Sequence, residues 1–264
     1  MSDILATIVA RKKQEVAARK AQKAITQLVQ SPYYDRKVFS LKESILSSPF
    51  GIIAEFKRKS PSKGIINDTA KPEEVTKGYV YAGASGVSVL TDIDFFGGSD
   101  ADLLAVRQAI QAPILRKEFI IDEYQLYEAK AIGADAILLI AAAIEAKTLK
   151  SFAKTAKLLG MEVLLEVHNE QELEESLNEH TDIVGVNNRS LKTFEVSLEN
   201  SVRLSSLIPK EFVKISESGV SQTADIRYLQ NYGFNGFLIG ENFMKTTNPK
   251  AACLSFFDKL KAGE

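Results

Sequence analysis

Five separated segments of the chain place charged or amide side chains in otherwise apolar surroundings: Glu55 with Lys57, then Lys117, Glu166, Asn187 and Glu217. Ammonium and carboxylate groups held close together can give and take protons, and a lysine among them can also add to a carbonyl as a Schiff base. Each of these residues stands near the C-terminal end of a short apolar run, where an unpaired buried charge costs on the order of several kcal/mol. A structural layer of salt bridges would satisfy any one of them. The confinement of the whole set to the ends of runs points instead to a shared site.

The first run, IIAEF, leads directly into KRKSPSKG, residues 57 to 64. Lys59, Ser60, Ser62 and Lys63, with Pro61 and Gly64 as hinges, suit a mobile flap over an anionic ligand, although Lys59 and Lys63 taken singly are expected to be solvated. Further on, SESG and IGEN place Ser218, Gly219, Gly240 and Glu241 where backbone N–H groups can surround a phosphate.

Positioning these groups requires eight apolar runs: 52–57, 86–91, 113–119, 135–140, 161–167, 182–187, 212–217 and 236–240. The gaps between them carry helical periodicity and helix punctuation. Pro72 stands at a helix start, Asp122 and Asn169 can cap others, and Gly83, Gly133, Gly160 and Gly233 follow helical patterns. Hairpin signals are absent and every gap can hold a crossover helix, so consecutive strands are expected to run parallel. Repeated βα units of this number predict a (β/α)8 TIM barrel, whose C-terminal strand ends form the rim where active sites lie. An open doubly wound sheet uses the same units, but no Gly-x-Gly-x-x-Gly follows the first run.

Residues 1–264 are then read as one barrel domain, with 1–50 as an N-terminal helical extension. Ile4, Leu5, Ile8, Val9 and Val16 give that extension an amphipathic helix. Side-chain alternation puts Glu55 and Lys57 on one face of the first strand. The same alternation sends Lys214 and Ser216 toward the helix layer if Glu217 points inward, an arrangement the pattern does not explain.

Composition narrows the chemistry. With 33 basic and 34 acidic residues there is no charge excess to attract a polyanion, so no nucleic-acid partner is expected. Cys253 is the sole cysteine and His168 and His180 the only histidines, which leaves no closed structural zinc site and no disulfide within the chain. The lysines interleaved with the rim carboxylates would repel a catalytic cation, so no metal is expected there. His168 is read as a loop or helix-start residue. No signal peptide or membrane span is legible, and a cytoplasmic location follows as an expectation.

The segment IIAEFKRKSPSKG closely resembles the signature of the indole-3-glycerol-phosphate synthase family. The likeness continues through SVLTDIDFFGGS, PILRKEFIID, GADAILLIAA, LLEVHNEQEL, GVNNRSLKTFEV, SESGV and LIGENFM, and the N-terminal ATIVARKKQEVAARK is similar to that family's leading helix. The resemblance implies a cofactor-free enzyme of tryptophan biosynthesis. It would close 1-(2-carboxyphenylamino)-1-deoxyribulose 5-phosphate to indole-3-glycerol phosphate, with loss of carbon dioxide and water. It further implies Lys117 as general acid, Glu166 as general base, Lys57 as an auxiliary acid on the substrate carboxylate, and Glu55, Asn187 and Glu217 as supporting polar groups. Ser60, Arg189, Ser218, Gly219, Gly240 and Glu241 fall on substrate and phosphate contacts, and Phe96 and Phe119 on the walls beside the aromatic ring. A carboxylate at Glu241 would repel a phosphate unless its side chain turns away. The expected partner is a small phosphorylated molecule, and the chain is expected to act as a monomer. At 264 residues it is too short for a second full barrel. A Schiff-base aldolase using Lys117 or Lys57, and a non-catalytic sugar-phosphate-binding barrel, are the rival readings.

Overall fold

A computed structural model of the chain describes residues 3–263. Eight parallel strands close into a barrel: β1 Ile52–Phe56, β2 Gly86–Leu90, β3 Ile114–Lys117, β4 Ala136–Ile140, β5 Glu162–Val167, β6 Ile183–Asn187, β7 Val213–Glu217 and β8 Gly236–Ile239. Each pairs with its sequence neighbours, and β8 completes the ring on β1 through Ile52↔Phe237 and Ala54↔Ile239. All eight expected runs are strands, with ends within two residues of the expected ones. Lys57 lies one residue beyond β1.

Three N-terminal helices precede the barrel: α1 Asp3–Gln22, α2 Ile25–Leu28 and α3 Leu41–Leu46. The outer layer comprises α4 Pro72–Ala82, α5 Asp100–Ala109, α6 Tyr124–Ala131, α7 Ala146–Leu158, α8 Glu170–Ser176, α9 Glu199–Ser205, α10 Thr223–Gln230, a short α11 Glu241–Met244, and α12 Pro249–Ala262. The punctuation works as the residue types dictate. Pro72 begins α4, where its missing N–H costs nothing. Asn169 Oδ1 accepts from Glu172 N–H at 2.9 Å to cap α8, and Gly83 ends α4 at φ +115°. Among the described residues no helix is long and apolar enough to cross a membrane.

Alternation divides the apolar residues into two clusters. Ile53, Leu115, Leu138, Leu164, Ile183 and Ile215 fill the barrel interior, while Ile52, Ala54, Val87, Ile137, Val163 and Val184 pack against the helices. The N-terminal extension stoppers both ends of this interior. Leu41 and Ile45 of α3 enter at the N-terminal end of the strands, where Gly86 and Gly236 leave room for them. Leu5 and Val9 of α1 join the same cluster from the opposite mouth.

The polar intrusion of Lys214 and Ser216 into the helix layer is resolved by hydrogen bonding. Ser216 Oγ meets Asn188 Nδ2 and Ser201 Oγ, each at 2.8 Å, and Lys214 Nζ donates to the carbonyl of Ser205 at 3.1 Å. Burial of a hydroxyl is tolerated there because every partner is supplied.

One expectation needs correction. The loop after β1 contains a small hairpin, with Lys59–Ser60 antiparallel to Gly64–Ile65, where none was expected. A turn at Pro61 to Lys63 ending on Gly64 at φ +67° makes it possible, and two residues per strand are too few to leave a period-two signal. Helix α1 buries Leu5, Ile8, Val9 and Val16 as expected, and one residue more. Lys12 occupies the position between Val9 and Val16 and is only 1% exposed, with Nζ 2.8 Å from Asp92, 3.1 Å from Glu118 and 2.8 Å from Glu15.

Candidate active site

The C-terminal strand ends open on a cavity of about 170 Å³. All six candidate proton-transfer residues line it, together with Ser60, Phe96, Phe119, Arg189, Ser218 and Glu241. Lys117 Nζ stands between two carboxylates, donating to Glu166 Oε2 at 2.7 Å and Glu217 Oε2 at 2.6 Å. Asn187 Nδ2 donates to Glu166 Oε1 at 3.0 Å, and Lys57 Nζ lies 2.8 Å from Glu55 Oε1. Every one of these side chains comes from the inward face of a different strand end or, for Lys57, from the residue beyond it. The period of two along a strand places Glu55 and Lys57 together as expected.

Two glycines make the crowding possible. Gly185 on β6 points inward beneath Glu217, and a methyl group there would collide with Glu217 Oε1. At Gly240 a Cβ would come 2.7 Å from Glu55 Oε1. Neither Gly185 nor its contact was legible from the strand pattern.

The buried charges shift one another. Desolvation alone would lower the Lys117 pKa, but Glu166, Glu217 and Glu55 outweigh it and hold the ammonium well above the usual lysine range. Burial would raise Glu166, yet Lys117 and then His168 draw it down to about 2. Burial dominates at Glu217, where repulsion by Glu166 adds to it and the pull of Lys117 only partly offsets it, so that its carboxyl rises to about 7.

A stability consequence follows from Glu217. In the unfolded chain a glutamate releases its proton near pH ~4.3, whereas the folded chain retains it to about 7. The folded state therefore binds more protons across that window, and its contribution from Glu217 is full below the lower limit and is lost as pH rises through 7. Glu217→Gln abolishes this loss. Thermal melts are expected to show the variant gaining on the wild type between pH 5 and pH 8; a difference that stays constant or reverses would refute the linkage.

Adjoining the first cavity is a second of about 480 Å³, lined by Lys63, Ser218, Gly219, Gly240, Glu241 and Lys245, among others. Among the described residues, none of the N–H groups of Ser218, Gly219, Gly240 and Glu241 donates to another protein group. Ser218 holds an unusual φ of +65° at this turn. The Glu241 side chain reaches toward Lys63 at 3.7 Å and Arg189 at 3.9 Å, so its negative charge is offset by two cations. Phe96 and Phe119 stand with ring centroids 5.9 Å apart. Lys59 is not simply solvated, since its Nζ donates to the carbonyl of Asp94 at 2.5 Å.

His168 lies between β5 and α8, the loop or helix-start position expected of it, but it also reaches Glu166. It follows Glu166 by two residues, so the strand period directs it into the same mouth, where Nε2 lies 3.5 Å from Glu166 Oε1 and Nδ1 lies 3.1 Å from Glu172 Oε2. That spacing was the available signal. Ile4, Leu5 and Ile8 of α1 also line the first cavity, as does Leu191 after β6.

The sequence profile of indole-3-glycerol phosphate synthase matches residues 5–256. The chain belongs to the indole-3-glycerol phosphate synthase family. A protein of that name from Bacteroides thetaiotaomicron is 48% identical over 261 residues, covering 99% of this chain and all of the relative. Another indole-3-glycerol phosphate synthase, from Neisseria meningitidis, is 46% identical over 256 residues, covering 95% of this chain and 98% of its own length. Among solved structures, one described as native KDPGal superposes with a TM-score of 0.57 over 82% of this chain and 95% of its own, at 12% identity, and attests the shared fold alone. The indole-3-glycerol phosphate synthase profile spans every strand that contributes to the cavity, from Glu55 through Glu241.

Proposed function

We propose that this chain closes 1-(2-carboxyphenylamino)-1-deoxyribulose 5-phosphate to indole-3-glycerol phosphate, releasing carbon dioxide and water, with Lys117 as general acid and Glu166 as general base. The observation that carries the assignment is Lys117 Nζ held between Glu166 and Glu217 on the floor of one cavity. Attack of the aryl carbon on the ketone builds negative charge on its oxygen. An ammonium kept charged by neighbouring carboxylates is suited to neutralise that oxygen as it forms. Glu166, ionised down to about pH 2, remains available to take the proton from the carbon beside nitrogen.

Lys57, with Glu55 as its partner, serves the substrate carboxylate, and Asn187 fixes the orientation of Glu166. Phe96 and Phe119 flank the aromatic ring, and Ser60 and Arg189 contact the substrate. The unused N–H groups of Ser218, Gly219, Gly240 and Glu241 hold the phosphate, with Lys63 close by. In this reading residues 1–264 form one barrel domain with its extension, acting as a monomer in the cytoplasm without a metal, cofactor, nucleic-acid or membrane partner.

The raised pKa of Lys117 counts against the Schiff-base rival, because an amine must lose its proton before it attacks a carbonyl. The direct test is formation of indole fluorescence from the carboxyphenylamino ketose phosphate by purified protein. Fluorescence is expected to rise with turnover. Its absence, or a stable adduct after borohydride treatment with a ketose phosphate, would favour the rivals.

A further inference from the structure

The proposed reaction has a proton deficit. Ring closure forms a carbon–carbon bond and an alkoxide that takes up one proton, and expulsion of the hydroxyl as water consumes a second. The base recovers one proton from the carbon beside nitrogen, and the carboxylate departs as carbon dioxide without one. Each turnover thus draws a net proton from solution.

Glu166 faces three nitrogens, one of them Asn187 Nδ2, which donates to Oε1 at 3.0 Å. Its Oε2 accepts from Lys117 at 2.7 Å, and its Oε1 lies 3.5 Å from His168 Nε2. His168 Nε2 is buried and makes no hydrogen bond within the described residues. Behind the imidazole, Glu172 Oε2 takes hydrogen bonds from both the His168 backbone N–H, at 2.8 Å, and the ring Nδ1, at 3.1 Å, which fixes the ring with a proton on Nδ1. Glu172 is the third residue of α8; its N–H is capped by Asn169 Oδ1, and its Oε1 accepts from Asn169 Nδ2 at 2.7 Å. His168 and Glu172 also line a separate polar cavity of about 720 Å³ between α8 and the loop after β6. The imidazole thus touches Glu166 on one side and this polar cavity on the other; Asn187 does so too, but its amide has no proton to give up at neutral pH.

We propose that His168, oriented by Glu172, is a positioning residue that resupplies protons from the 720 Å³ cavity to the Glu166–Lys117 pair. The proposal rests on the reading of Glu166 as base and Lys117 as acid. In the step, the Nε2–H bond of the imidazolium breaks and an O–H bond forms on Glu166 Oε1, leaving a neutral imidazole and a carboxylic acid. Rotation of the carboxyl presents that proton to the Lys117 amine, which becomes ammonium again as Glu166 returns to carboxylate. A flip of the neutral ring about Cβ–Cγ then turns Nε2 toward the 720 Å³ cavity, where it takes a proton from solvent before swinging back to Glu166.

The charged groups facing the ring are Glu166 from β5, Glu172 from α8 and Glu217 from β7, with Lys117 across Glu166 and Arg189 on the wall of the 720 Å³ cavity. Burial lowers the imidazole pKa, but the Glu172 hydrogen bond and the charges of Glu166, Glu172 and Glu217 more than compensate, so it is raised. The ring is accordingly poised as a donor.

The test uses the full chain with saturating substrate, following indole fluorescence from pH 6 to pH 9 in wild type, His168→Asn and Glu172→Gln. His168→Asn is expected to lower kcat on the order of tenfold at pH 8 and less at pH 6, with KM unchanged. Added imidazole restores the loss, and the solvent deuterium effect on kcat grows. A deficit that is the same at every pH and untouched by imidazole would mean a structural role and overturn the relay, as would wild-type turnover. Should His168→Asn fail to fold by circular dichroism, Glu172→Gln carries the same comparison. Glu166→Gln separates the two levels: an inactive variant that imidazole cannot rescue supports the base assignment, whereas an active one removes that assignment and the relay with it.

Discussion

Lys117→Ala is expected to lower kcat by a factor on the order of a hundred or more while leaving the barrel folded. The substitution removes the ammonium that would meet the ketone oxygen, and its effect does not stop there. Glu166 and Glu217 now share Lys117 at 2.7 and 2.6 Å. Without it, two buried carboxylates face one another, and one of them takes a proton in preference to ionising beside the other. The base is then compromised along with the acid. Glu166→Gln, which keeps the shape but cannot accept a proton, is expected to produce a loss of similar order. Steady-state indole fluorescence, with circular dichroism to verify folding, measures both; wild-type rates in the two variants would sink the assignment.

The largest stability effect is expected from Lys12→Met. Lys12 is 1% exposed and balances the buried carboxylates of Asp92 and Glu118. Burial pulls its pKa down, but Glu118 and Asp92 raise it above the ordinary lysine value, so it is cationic at neutral pH. Methionine fills the same volume and leaves the carboxylates without their cation. Breaking a buried pair from one side costs about 3–5 kcal/mol. Because α1 also supplies Leu5 and Ile8 to the active-site wall, undocking of this helix should lower activity before the barrel unfolds. Urea denaturation reads the first effect and hydrogen exchange along residues 3–22 the second. A midpoint equal to wild type with α1 still protected would show that the ion cluster carries no stability.

The barrel was legible because its strands are buried on both faces and separated by capped helices, so apolar runs and Gly or Pro punctuation recur throughout. The catalytic candidates were legible for the opposite reason: Glu55, Lys117, Glu166 and Glu217 interrupt those runs. Lys12 is not legible in the same way, because charges surround it in ARKKQE and nothing local distinguishes the buried lysine from Lys13. His168 lies outside the strand, as a loop residue is expected to, yet its spacing from Glu166 continues the inward face and brings the two side chains together. Gly185 could not be read from its own segment at all, since its importance comes from a carboxylate on the neighbouring strand. Long-range partners decide such positions, and a single strand's pattern does not contain them.

The seal between β8 and β1 sets a condition on how the molecule can be made. Residues 52 and 237 must meet before the cylinder exists, so the segment synthesised first has to wait for one synthesised near the end. Helix α1, older still, finds its acidic anchors only after Asp92 and Glu118 have emerged, and the pocket it helps enclose is finished when both events are complete. Maturation of the catalytic chamber is therefore expected to coincide with the final stage of folding, with no active half-built form along the way.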